Sequence, residues 1–328
     1  MRRACALGLI AALSAGACSS GGGSGDDDLP AKGVEFVPAP LPVPRTEVAG
    51  TLWGGRIVVV GGLAASGDAV RMVDAWDSAT NEWGNLPDYP MPIHHTAVVV
   101  LDDRVWVVGG YTQAGDGIWV AVDDVFSLGP ADDEWRAEAH LPEPRGAPAA
   151  AVGDDGGIET LLVAGGVNDG GTVLSSTLTF DGGDGGRWLE VTQGMTTERE
   201  HFAMTAVDSD VYAVAGRAGG METNRDSAEV LRLTDPGAWE PAGALNRSRG
   251  GFGAATVEGT PCVAGGETPE GTVAEVECLV DGEWRVVAAL DNPRHGNAVV
   301  ARGGSLHVIG GGPEPGLTVS GHHEVFEL

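Results

Sequence analysis

Aromatic residues make up only 5% of this 328-residue chain, cysteines number four, and the 19 Lys and Arg are outnumbered by 47 Asp and Glu. The formal charge of −28 disfavours nucleic acid and anionic lipid as partners through long-range repulsion, and no basic face is apparent in the sequence. No GxSxG elbow, P-loop or HExxH motif is present, so the commonest hydrolase, nucleotide-binding and zinc-protease chemistries lack their residues. No apolar run approaches the roughly 20 residues of a membrane-spanning helix; the longest, about a dozen, sits inside MRRACALGLIAALSAGAC. No helical periodicity interrupts the body of the chain.

What the chain has in abundance is glycine, 53 residues, and much of it is phased. RIVVVGG, RVWVVGG, TLLVAGG, VYAVAGR, PCVAGGE and LHVIGGG place a glycine at 61, 109, 165, 216, 265 and 310. Spacings of 45 to 56 residues fit propeller blades and are too long for leucine-rich or ankyrin units. A tryptophan follows each of the first five at the same period: Trp83, Trp135, Trp188, Trp239 and Trp284. Each unit reads as four short strands divided by Gly, Pro, Asp and Asn turns, for example HHTAVVVLD, RVWVVGG, DDVFSLG and EWRAEAHLP.

A diglycine closing the second strand and a tryptophan in the fourth resemble the kelch repeat, from about Gly33 to Leu328. The resemblance implies an all-β, six-bladed propeller of four-stranded antiparallel blades. Two departures are Arg217 after Gly216, and Trp76, Phe126 and Phe180 where the family carries a third-strand tyrosine. The last unit, ending HHEVFEL, has three strands and no tryptophan strand, whereas VEFVPAPLPVPR (34–45) matches WRVVAALDNPR (284–294). The N-terminal strand is therefore expected to complete blade six, leaving no raw edge between first and last blades.

The leader has Arg2 and Arg3, an apolar stretch and small residues before Cys18, the pattern of a secretion signal. Ala15-Gly16-Ala17-Cys18 resembles a bacterial lipobox, with alanine at the position that more often holds leucine. The expected organisation is a signal peptide (1–17), a lipidated Cys18 with the flexible linker SSGGGSGDDDLPAKG (18–33), and one propeller (34–328). The destination is the cell envelope, with a released, secreted form as the other reading and contact with membrane through the lipid alone. Loss of Arg2 and Arg3 takes the charge from −28 to −30. Cys262 and Cys278 fall nearly opposite each other on adjacent antiparallel strands, where either a disulfide or two buried thiols can sit.

Counting back from each unit's first glycine gives the chemically suggestive columns. With a four-residue insertion allowed in GDDGGIET of unit three, sixteen residues before it stand Arg45, Ile93, Arg145, Glu200, Arg249 and Arg294, with Arg199 one residue out; fifteen before it stand Thr46, His94, Gly146, His201, Gly250 and His295. In the kelch resemblance these columns begin the innermost strands and gather at one channel mouth. Arg45, Arg145, Arg199, Arg249 and Arg294, with His94, His201 and His295, are thus candidates for binding an anionic protein or glycan ligand. The other reading of the arginines is that they tie blades together. Histidines in alternate blades with no nearby cysteine give no reason to expect a metal, and no cofactor is expected. Galactose oxidase chemistry lacks its residues among Tyr89, Tyr111 and Tyr212. A sialic-acid epimerase (mutarotase) would need an acid or base beside a carboxylate-clamping arginine, which Glu200, His201 and Arg199 supply in sequence. The leading expectation is a non-catalytic binding propeller, with that enzyme as the alternative.

Overall fold

The computed structural model describes residues 37–182 and 186–328; the leader, Cys18, the linker and Phe36 lie outside them. Five four-stranded antiparallel sheets follow in chain order. Their innermost strands are Ala49–Trp53, Ala97–Leu101, Ala149–Asp154, Ala203–Val207 and Gly253–Val257. A sixth sheet contains Ala298–Arg302, Ser305–Ile309 and His323–Glu327. Each innermost strand packs against the next, and Ala298–Arg302 packs back on Ala49–Trp53, so the blades form a closed ring. The valines and leucines of the second strands are almost wholly buried between neighbouring blades, which is why these strands read as continuous apolar runs rather than alternating ones.

The diglycines are explained by what the next blade brings to them. Gly165 adopts φ 59°, and a Cβ there would stand 2.4 Å from the carbonyl oxygen of Arg199, at the entrance of the following blade. The N–H of the second glycine, Gly166, donates to that same carbonyl at 2.8 Å. The bond recurs at Gly62, Gly110, Gly216, Gly266 and Gly311 with lengths of 2.7 to 2.9 Å, and Gly311 reaches Arg45, closing the circle. In unit four the first position is held by Ala215, with φ 50°, and Gly216 is the second. The sequence phase expected for that unit is therefore displaced by one residue.

The phased tryptophans bind each blade to its predecessor. Trp135, Trp188 and Trp284 donate their indole N–H to the carbonyls of Pro87, Ala139 and Ala242, and Trp239 donates to Thr177 Oγ1, at 2.8 to 3.1 Å. Trp83, in blade one, donates to Ala39 at 3.0 Å, so the N-terminal segment occupies the predecessor's place. Leu41 N–H donates to Gly321 as Leu290 donates to Ala274, both at 2.8 Å. Residues 37–45 thus run where blade six needs the end of a fourth strand. Cys262 and Cys278 face each other across blade five and are joined by a disulfide.

Candidate functional site

With Ala215 in phase, the columns read differently. Arg45, Arg145, Arg199, Arg249 and Arg294 occupy one position, together with Ile93, and all are 0 to 1% exposed. Arg145 donates to the carbonyls of Gly165 and Ser176 and to Ser176 Oγ; Arg199 donates to Ala215, Ser227 and Glu229. Arg249 pairs with Glu277, Arg294 with Glu324, and Arg45 with Asp74 at 2.5 Å. Burial pulls all five guanidinium pKa values down, against the acidic neighbours that hold them charged. These side chains turn into their own blades. The cationic ring expected at the channel mouth does not form among the described residues, because each guanidinium bonds acceptors within its own blade instead.

The residues that do converge come from the next two columns. Thr46, His94, Gly146, Glu200, Gly250 and His295 pair by single bridges with the residue just past each diglycine, as Glu200 does with Arg217 and His295 with Gly312. Glycine at 146 leaves room for the Tyr111 ring, which lies where a Cβ would be. After them stand Glu47, His95, Ala147, His201, Gly251 and Gly296, all with φ between 45° and 65°. Their N–H groups and carbonyls link neighbouring blades, as in His95 to Glu47 at 3.2 Å, Ala147 to His95 at 3.1 Å and Gly296 to Gly251 at 2.7 Å. This belt rims the mouth, and His201 belongs to it with His95 rather than with His94 and His295.

Within the rim, His95 Nε2 lies 3.1 Å from Glu47 Oε2, and His295 Nδ1 lies 3.1 Å from Glu47 Oε1. The His95 and His201 rings meet edge to face with centroids 4.6 Å apart. His201 Nδ1 bonds Glu200, whose other oxygen takes Arg217 Nε at 3.1 Å, while Arg217 also reaches Glu267 at 2.9 Å. His94 and His95 face each other through their Nδ1 atoms at 2.5 Å. Glu47, His95 and His201 line a cavity of about 80 Å³, and behind Phe202 and Phe252 the channel continues to a bore of about 290 Å³ lined by the innermost strands.

Burial drives His94 down to about 3 and lowers His95 and His201, with the positive charge of Arg217 adding to the effect on the last two. His295 is also buried, yet the hydrogen bond and charge of Glu47, and then Glu267, raise it to about 9. Burial alone would raise the Glu47 carboxyl; His95, His295 and His201 together hold it well below the usual range. The formal charges of Glu47, Glu200 and Glu267 against Arg217 and protonated His295 leave the mouth negative. Glu47, His95, Arg217 and Glu267 escaped sequence reasoning. In-phase alignment on Ala215 reveals the first two, but Arg217 and Glu267 sit on loop positions that only the fold brings inward.

Comparison with known proteins agrees with this fold. A Kelch motif model matches residues 44–88, the stretch running from Arg45 through blade one. The solved structure titled "Structure of YjhT" superposes with a TM-score of 0.75 over 89% of this chain and 100% of that one, at 16% identity. The chain is a six-bladed β-propeller that carries a Kelch motif. The propeller is 26% identical over 309 residues to Kelch-like protein terF of Aspergillus terreus, covering 87% of this chain and 64% of that protein. It is 30% identical over 147 residues to Kelch-like protein 35 of Mus musculus, covering 45% of this chain and 23% of the relative. The chain thus spans less than two thirds of the length of either relative.

Proposed function

We propose that this kelch propeller is a non-catalytic binding module, held outside the cytoplasmic membrane through Cys18, that grips a protein partner on its mouth-side face. The observation that carries the reading is the surface of that face. The loop after the blade-two diglycine forms a hairpin, Tyr111–Gln113 with Trp119–Ala121, whose Ile118, Trp119 and Val120 are exposed beside the rim. Around them Asp68, Asp169, Glu222, Glu270 and Glu314, from five other blades, are exposed. An aromatic anchor set in an acidic field suits a basic protein surface, with steering that fades as salt rises. With the arginines turned inward, an anionic ligand loses the groups that suggested it. The Cys262–Cys278 disulfide supports an oxidising compartment and hence export.

Binding of the mature chain to immobilised extracytoplasmic proteins and to a glycan array, alongside Trp119→Ala, tests this. The reading expects basic proteins among the hits and at least about a tenfold loss in the variant. Hits confined to glycans, or unaffected by Trp119→Ala, would overturn it.

A second reading, an epimerase of the mutarotase kind, is favoured by one observation: Arg217 takes the place expected of Arg199 beside Glu200 and His201. Against it, Arg217 is already shared by two carboxylates. Faster exchange between sialic-acid anomers in the presence of the protein, abolished by His201→Ala, would establish that reading in place of the first.

A further inference from the structure

We infer that the propeller mouth is a site for a divalent transition-metal ion, Zn²⁺ by its donor set, held by Glu47, His95 and His201. Each residue offers one ligand atom, and the three atoms lie within 4.8 Å of one another. Two imidazoles and a carboxylate form a donor set typical of zinc sites that keep a fourth position open. At ordinary Zn–N and Zn–O lengths, tetrahedral donors stand about 3.3 Å apart. Glu47 Oε2 and His95 Nε2 are 3.1 Å apart, so only a few tenths of an ångström separate the present contact from a coordination edge.

The groups behind the ligands form a second, independent line. His201 has its Nδ1 engaged by Glu200, and Glu200 is itself fixed by Arg217, which commits the ring to presenting Nε2. His95 has its Nδ1 against His94 Nδ1 at 2.5 Å, so the tautomer that donates to His94 also frees Nε2. Metal-bound histidines are generally oriented in this way, by an outer partner on the nitrogen that does not ligate. The excess negative charge of the mouth favours a cation. The cavity of about 80 Å³ also leaves space at the fourth position for solvent or a donor from a partner, a water filling about 30 Å³. Because the three ligands come from blades one, two and four, the ion would also cross-link the ring. This inference goes beyond the binding reading: metal uptake and partner capture are separate measurements, and either can fail alone.

The test is Zn²⁺ competition against a chromophoric chelator, plus Co²⁺ absorption, on untagged mature protein stripped with EDTA. The expected result is one equivalent of Zn²⁺ and an intense Co²⁺ ligand-field band of low coordination number. Glu47→Gln and His201→Asn should each lower the affinity more than about 100-fold, and the orienting change Glu200→Gln by roughly 10–100-fold. A competing group, Asp123, Asp124 and His140, lies outside the mouth, with His140 exposed. His140→Ala should therefore leave the stoichiometry and affinity intact. Wild-type protein that takes up no Zn²⁺ and shows no Co²⁺ band would overturn the inference whatever the variants do. So would binding that survives in folded Glu47→Gln and His201→Asn, or that disappears with His140→Ala.

Discussion

Arg249 offers a sharp test of whether the arginine column holds blades or ligands. Replacing it with methionine keeps the aliphatic stem but removes the hydrogen bonds to Gly265 and Glu275, at 3.1 and 3.0 Å, and the pair with Glu277. Both charged side chains are 0% exposed, so Glu277 is left buried with only its contacts to Asn246. Removing one partner of such a pair costs about 3–5 kcal/mol. For a domain of this size that corresponds to a Tm lower by roughly 6–10 °C. The double variant Arg249→Met/Glu277→Leu should regain part of the loss, because no buried carboxylate is stranded. Differential scanning calorimetry, with urea unfolding followed by tryptophan fluorescence, measures both. A single variant melting within about 1 °C of wild type, while losing affinity for a partner, would refute the structural role.

The same fold makes further predictions. Gly165→Ala should destabilise by more than about 2 kcal/mol, since its Cβ meets the Arg199 carbonyl at 2.4 Å, whereas Ala215→Gly in the same column should change stability by less than about 1 kcal/mol. Reducing the Cys262–Cys278 bond, which closes a separation of 16 residues, should lower unfolding free energy by about 3 kcal/mol in denaturant titrations with and without reductant. His307 and His323 are bonded to each other at 2.9 Å and are lowered by burial to about 4 and about 3. Their unfolded forms protonate first, near pH 6.5, so the stability they confer is whole above that pH. It declines towards pH 4 at about 1.4 kcal/mol per pH unit for each group. His307→Asn should make that acid limb shallower in Tm measured from about pH 7 to about pH 5. Trp119→Ala, which removes ring contacts with His94, His95 and Tyr111 at 4.6, 4.9 and 5.7 Å, should cost about 1–2 kcal/mol of stability while impairing partner capture.

The ring was legible because each blade repeats its own local demands. Valine-rich second strands, a diglycine where the next blade's carbonyl intrudes, and an indole reaching back all recur at blade spacing and need no long-range information. Arg45 could be matched to Arg294 for the same reason, and the segment before it does lie against Ser320 and Gly321. The site was less legible, and one alanine accounts for much of that. Ala215 tolerates the left-handed backbone its column requires, so taking Gly216 as the first glycine displaced Arg199, Glu200 and His201 by one position. The displacement created a histidine in every second blade and concealed the grouping of His201 with His95 and Glu47. Arg217 and Glu267 were beyond reach for a different reason: they follow the diglycines, where loop geometry rather than strand alternation decides direction. The arginine column was visible, but not which way its side chains turn, because that depends on acceptors such as Ser176, Ser227 and Glu277 on third strands.

Glu47 and His295 stand near opposite ends of the described chain, and only a closed circle of blades brings them to 3.1 Å. A double-mutant cycle on Glu47→Gln and His295→Asn, read by urea unfolding, therefore probes ring closure and mouth assembly together. The structure predicts a coupling energy of about 1–3 kcal/mol between the two sites. Strictly additive effects, with coupling below about 0.3 kcal/mol, would contradict it.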